Sequence, residues 1–78
     1  MTAAQKMIVE TVVQMGPIKD SDLLIELTDW GFRNDCNVDW DEEIDEAFDN
    51  GLITAIDYTL PHTNIMNSIY FPKGTKIH

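Results

Sequence analysis

Apolar and polar positions along the chain sort into three helical periods followed by two alternating strands. From Ala3 to Met15 the apolar residues Ala4, Ile8, Val12 and Met15 recur at the three-to-four spacing of one helix face. Thr2 ahead of that run suits an N-cap. Gly16 and Pro17 behind it suit a stop, a glycine just past the helix end followed by a residue that cannot extend the hydrogen-bond ladder. Val9 and Val13 lie roughly 100° further round, so the apolar arc is wider than a single contact needs. That width predicts a central helix meeting other helices and a sheet, with a homodimer surface at Val9 and Val13 as the alternative.

After a short extended link at Ile18 and Lys19, Asp20 or Ser21 can cap a second helix that runs through Leu23, Leu24, Leu27 and Trp30 to Gly31. Leu23, Leu27 and Trp30 share its inner face. Ile25 falls on the far side, where a lone exposed Ile is common. Phe32 is expected to fold back over the helix end, ahead of a polar, turn-forming stretch that reaches Val38. The third helix runs from Asp39 to Asn50. Asp39 and Glu42 match the D-x-x-E form of a capping box, and Asn50 with Gly51 provides the stop. On its wheel Trp40, Ile44, Ala47 and Phe48 fall on one side and Asp41, Glu42, Asp45, Glu46 and Asp49 on the other.

Leu52 to Leu60, rich in β-branched and aromatic residues, reads as a half-buried strand, with Leu52, Ile56, Tyr58 and Leu60 on the inner face and Ala55, Asp57 and Thr59 on the more polar one. Pro61 to Asn64 make a turn, and Ile65 to Phe71 return as a second strand with Ile69 and Phe71 aimed at the core. Pro72 ends the pairing. The expected fold class is a single small α+β domain, three helices plus a C-terminal β-hairpin, in which the Ile18 region can add a third strand. Its expected core is Ile8, Val12, Leu23, Leu27, Trp30, Trp40, Ile44, Phe48, Ile56 and Phe71.

Size and charge narrow the function. A chain of 78 residues buries roughly 60% of its unfolded surface, which leaves no room for a large catalytic cleft. Fourteen acids against five bases give a net charge of −9, a balance that disfavours nucleic acid and anionic membrane and favours a basic partner or plain solubility. The single cysteine, Cys36, excludes an internal disulfide framework and fits a reducing compartment. Lys6, Glu10 and Gln14 interrupt the N-terminal segment too often for a signal or membrane helix, so the chain is expected in the cytoplasm, as a monomer or homodimer.

The charge is concentrated on the third helix. Acids in its first turn, Asp39, Asp41, Glu42 and Glu43, are favoured by the helix dipole and need no other explanation. Further along that account fails, because Asp45 and Glu46 repeat the sign of Asp41 and Glu42 one turn on, and Asp49 follows Asp45 near the carbonyl end. Each like pair costs a few tenths of a kcal/mol, so with the dipole penalty the face gives up about 1 kcal/mol, where lysine would cost nothing. The partner-binding surface is therefore assigned to Asp41, Glu42, Asp45, Glu46 and Asp49, with a merely solvated face as the alternative. Tyr58, Ile25 and the loop around Phe32 are candidate apolar anchors beside it.

The order of helix, extended link, helix, loop, helix and hairpin, together with the junction FDNGLI at residues 48–53, resembles the winged helix-turn-helix superfamily over nearly the whole chain. The resemblance implies that Asp39 to Asn50 stands in the recognition-helix position and Leu60 to Asn67 at the wing tip. DNA-binding members carry basic and polar groups in both elements. Here the recognition position holds Asp39, Asp41, Glu42, Glu43, Asp45, Glu46 and Asp49 with no base, and the wing tip offers His62, Thr63, Asn64 and Asn67. Winged helices that have lost DNA binding commonly serve as protein-interaction modules, and compact acidic versions are similar to phage-encoded proteins that block or redirect host proteins. The implied function is an inhibitor or modulator of a basic, nucleic-acid-handling protein, in a bacterial host's cytoplasm if the chain is phage-encoded. The alternative is a DNA-binding regulator using another surface, as a dimer that gathers Lys6, Lys19, Lys73 and Lys76.

Other chemistry finds little purchase. Asp35, Asn37, Asp39, Asp41, Glu43 and Glu46 fall in an EF-hand-like register, but Trp40 occupies the place that needs glycine, and a helix starting at Asp39 would splay the later carboxylates apart. Cys36, His62 and His78 lack metal-ligand spacing, and Cys36, Ser21 and Ser68 lack a nucleophile's partners. No metal, cofactor or enzymatic activity is expected. Five bases on separate elements supply too few phosphate contacts for DNA. An anisotropy titration with duplex DNA at physiological salt is expected to show no binding at micromolar concentration, and micromolar affinity that weakens steeply with salt would refute this.

Overall fold

The computed structural model describes residues 2–59 and 66–76. Among them the chain forms three helices and three strands, in the order α1 (Ala3–Met15), β1 (Ile18–Lys19), α2 (Asp20–Arg33), α3 (Trp40–Asp49), β2 (Ile53–Thr59) and β3 (Met66–Pro72). The strands make one antiparallel sheet with β3 between β1 and β2. The expected turn at Pro61 to Asn64, the inward Leu60, the strand start at Ile65, and both His62 and His78 lie outside the described residues.

Thr2 closes a full capping box on α1: its hydroxyl accepts from the Gln5 N–H at 3.1 Å, and the Gln5 side chain accepts from the Thr2 N–H at 3.3 Å. That local pairing lets Gln5 be buried. Thr11 is buried too, its hydroxyl donating to the Met7 carbonyl at 2.8 Å. The inner face is thus Gln5, Ile8, Thr11 and Val12, and Met15, expected inward, is 47% exposed. The helix packs on α2, α3 and β3, with Val9 half-buried against the core and Val13 exposed. Gly16 does stop α1, but in an extended conformation; a Cβ there would sit 2.4 Å from the Val12 carbonyl oxygen, so close approach dictates the glycine.

In α2 the sequence reading needs three corrections. Neither Asp20 nor Ser21 caps it: Lys19 is the N-cap residue and gives no side-chain bond. Asp20 begins the helix, and its carboxylate instead accepts from the Tyr70 hydroxyl at 3.3 Å. Gly31 does not end the helix, which continues to Arg33. Its role is packing, since a Cβ would meet the Cys36 carbonyl at 3.0 Å and the Trp40 ring at 3.4 Å. The Cys36 N–H donates to the Gly31 carbonyl at 2.8 Å, so Gly31 and Trp40 seal the helix end. Phe32 is turned by one helical step to the outside and is 89% exposed. Leu23 and Leu27 are fully buried, while Trp30 is half-buried and edge-on to Trp40 with ring centroids 6.0 Å apart.

At the end of α3, Gly51 takes a φ of +72° that a side chain would resist. The Leu52 N–H then reaches the Ala47 carbonyl at 2.9 Å and the Gly51 N–H reaches Phe48 at 3.0 Å, the paired bonds of a Schellman stop. The chain leaves this turn with Ile53 pointing into the core, 3% exposed. Alternation then packs Ala55 against the core, places the exposed Asp57 on the same side, facing α3, and leaves Thr54, Ile56 and Tyr58 half-buried on the other, so from Ala55 to Tyr58 the faces are the reverse of those expected. Strand β3 follows: Tyr70, paired with Ala55 and Ile18, is buried, while Ile69 and Phe71 stand on the outer face, half-buried. Ile56, Phe71 and the 48% exposed Phe48 therefore leave the expected core, and Ile18, Ala47, Ile53 and Tyr70 join it.

This parity is measurable in urea. Truncating Ile53 to Ala should cost about 2 to 4 kcal/mol, and truncating Ile56 under about 1.5 kcal/mol. Equal losses, or a larger one at Ile56, would contradict the assigned faces.

Candidate functional site

Helix α3 takes its orientation from Trp40, Ile44 and Ala47, all buried. Its start is fixed by Asp39, whose carboxylate accepts from the Glu42 N–H at 3.4 Å. With those three side chains inward, the helical repeat turns Asp41, Glu42, Asp45, Glu46 and Asp49 outward, and all five are exposed. Asp41, Asp45 and Asp49 form one row, Glu42 and Glu46 the next, with Cβ atoms roughly 5 to 6 Å apart within each row. Among the described residues the one ion pair is Arg33 with Asp29, on α2. None of the five carboxylates on α3 is neutralised by it.

Glu43 behaves differently. It lies at the opposite border of the apolar arc, is half-buried, and has one carboxylate oxygen closed off from solvent without a hydrogen-bond partner. It belongs to the packed side of α3 and not to the acidic face.

Phe48 was legible as a boundary residue. It lies about 80° round the helix from Trp40 and only about 20° from Asp41, so a core centred on Trp40, Ile44 and Ala47 leaves it at the rim. There it lines a cleft of about 350 Å³ between α3 and the hairpin, together with Asp45, Ala55, Asp57, Ser68 and Tyr70. Asp57, expected on a polar outer face, enters this cleft because the strand parity is reversed. The Ser68 hydroxyl donates to its carboxylate at 2.6 Å. Burial, and then the negative charge and hydrogen bond of Asp20, push the Tyr70 phenol up to about 12 from its ordinary 10.0, with Ser68 opposing and Asp45 adding a little. The cleft thus extends the acidic face of α3 with a second carboxylate, a half-exposed aromatic ring and a phenol held in its neutral form.

The remaining candidates are scattered. Ile25 and Phe32 are exposed on α2, Tyr58 stands on the outer face of β2, and the exposed lysines are divided among α1 (Lys6), β1 (Lys19) and the stretch after β3 (Lys73 and Lys76). Cys36 is an exposed free thiol. Among the described residues no three His, Cys, Asp or Glu side chains converge as metal ligands, and no helix is long and apolar enough to cross a membrane. Compared with known families, curated proteins and solved structures, the chain matches none at a significant level.

The Tyr70 shift has a definite sign. A phenol whose pKa is raised by folding contributes stability that is fully present below about pH 10 and is lost as pH rises through about 12. The thermal midpoint of the parent should therefore fall more steeply over that window than that of Tyr70→Phe. Parallel pH profiles for the two proteins would show that the phenol is not held as described.

Proposed function

We propose that the chain is a winged-helix-type domain turned into a small acidic protein-interaction module, an inhibitor or modulator of a basic, nucleic-acid-handling protein such as phage proteins of this kind target. The element order supports the fold reading, with β1 joining the hairpin as the third strand. The functional reading is carried by one observation: Asp41, Glu42, Asp45, Glu46 and Asp49 form an exposed double row on one helix, without an ion pair among the described residues, beside the half-exposed Phe48.

Such a row offers a basic groove what a phosphate strand offers it, regularly spaced anionic oxygens on a stiff support. Charge complementarity raises the association rate, while affinity needs apolar contact that leaves water. Phe48 supplies that contact next to Asp45, in place of the more distant anchors suggested by sequence. The acidic cleft with Asp57 can receive a Lys or Arg side chain over the aromatic ring, an arrangement favourable to a cation.

Affinity capture from a bacterial lysate, comparing the parent with the double variant Asp45→Lys/Asp49→Lys, tests the proposal. Both positions are exposed, so the variant should fold with an equal or higher thermal midpoint as like-charge repulsion is relieved. The parent is expected to retain a basic protein that the variant loses by roughly tenfold or more, with salt sensitivity reduced. If the folded variant retains the same partner as well as the parent does, the acidic row is only a solvated face.

A further inference from the structure

We propose that the outer side of α2 is a second, independent docking groove, and that its occupant is an amphipathic helix of a partner protein with Lys or Arg flanking its apolar stripe. Ile25 and Phe32 are 65% and 89% exposed. They are seven residues apart, which places them on one side of the helix, roughly 10 Å from each other along its axis. Ile25 is therefore not the lone exposed residue that its place in the sequence suggested.

The surface between and beyond them is shallow and open, with three adjoining depressions. A depression of about 440 Å³ between Leu24, Thr28 and Phe32 shares Ile25 with a second one that reaches Met15 and Pro17. It shares Thr28 and Phe32 with a third that reaches Cys36 and Val38. Together they follow the whole of α2, whose 14 residues extend over roughly 21 Å. Leu24, Ile25 and Phe32 join along it into one apolar strip, which scattered exposed residues do not form.

The rim identifies the occupant. Asp22, Glu26, Asp29 and Asp35 border the groove, against Lys19 and an Arg33 already paired with Asp29. This net negative border selects against phosphate and anionic lipid and for Lys or Arg beside the apolar stripe. It also selects against a second copy of the chain, whose rim has the same sign and whose net charge is −9. A helical wall offers no free backbone edge, so a bound segment must satisfy its own N–H and C=O groups, which a helix does and an added strand does not.

The test uses the full chain and a synthetic peptide of about sixteen residues, long enough as a helix to cover the groove, with leucines at three-to-four spacing and lysines on both flanks. One control replaces the lysines with glutamate and another replaces the leucines with serine. In a heteronuclear NMR titration the lysine-flanked peptide should shift the amides of Ile25, Thr28 and Phe32. Both controls, and the variant Ile25→Ser/Phe32→Ser, should bind roughly tenfold more weakly or worse. Both substituted positions are exposed, so the variant's own spectrum should remain that of the folded parent. The variant Asp45→Lys/Asp49→Lys should bind the peptide as the parent does, which separates this groove from the acidic face of α3. Three results would overturn the proposal. One is no saturable shift up to about millimolar peptide; another is shifts confined to α3 that vanish in the Asp45→Lys/Asp49→Lys variant. The third is sedimentation of the parent as a dimer that Phe32→Ser dissociates.

Discussion

The left-handed turn at Gly51 determines more of this molecule than any buried side chain. It converts the end of α3 into the start of β2 within three residues, Asn50 to Leu52, and so fixes which side of the strand faces the helices. Once Ile53 is inward, Ala55 and Asp57 must follow, and the antiparallel register brings Tyr70 and Ser68 opposite them. Tyr70 then meets Ile18 on its other side and Asp20 at its hydroxyl, which ties the sheet to the first residue of α2. A rotation of one residue at this turn would bury Ile56 and Tyr58, eject Tyr70, and dissolve the cleft beside Asp45.

Charge contributes little to cohesion in this fold. Fourteen acids and five bases yield one ion pair among the described residues, an exposed i, i+4 contact on α2, of a type worth about 0.3 to 0.5 kcal/mol. Stability rests on apolar burial, with Ile8, Val12, Leu23, Leu27 and Ile44 sealed at the centre. Of the polar groups that enter the interior, Gln5 and Thr11 are satisfied by their own helix, while one carboxylate oxygen of Glu43 is closed off without a partner. The surface carboxylates are therefore free to be arranged without regard to cohesion, and the proposed role of the α3 row rests on that freedom.

Local chemistry made the helices readable. Caps and stops act within four residues, so Thr2, Asp39 and Gly51 could be identified from their neighbours alone, and the exposed row on α3 followed from its period. Strand faces were not readable in the same way. A period of two divides β2 into two sets without saying which is inside, and the larger apolar residues, Ile56 and Tyr58, sit on the outer one. The deciding residue was Ile53, whose direction depends on the dihedral angles of Gly51. Gly31 misled for a related reason, since a glycine demanded by a tertiary contact with Cys36 and Trp40 looks in sequence like one demanded by a helix end. Phe32 and Phe48 were placed inside by hydrophobicity, although the helical repeat puts both at or beyond the border of the buried arc.

The sheet order leaves β2 with a neighbour on one side only among the described residues. An unpaired edge of seven residues is a template on which further chains can add as strands, the route to fibrillar aggregates. Asp57 sits in the middle of that edge with its carboxylate turned toward the helices, and an inward charge is a known obstacle to strand addition. The same side chain that lines the cleft therefore guards the edge.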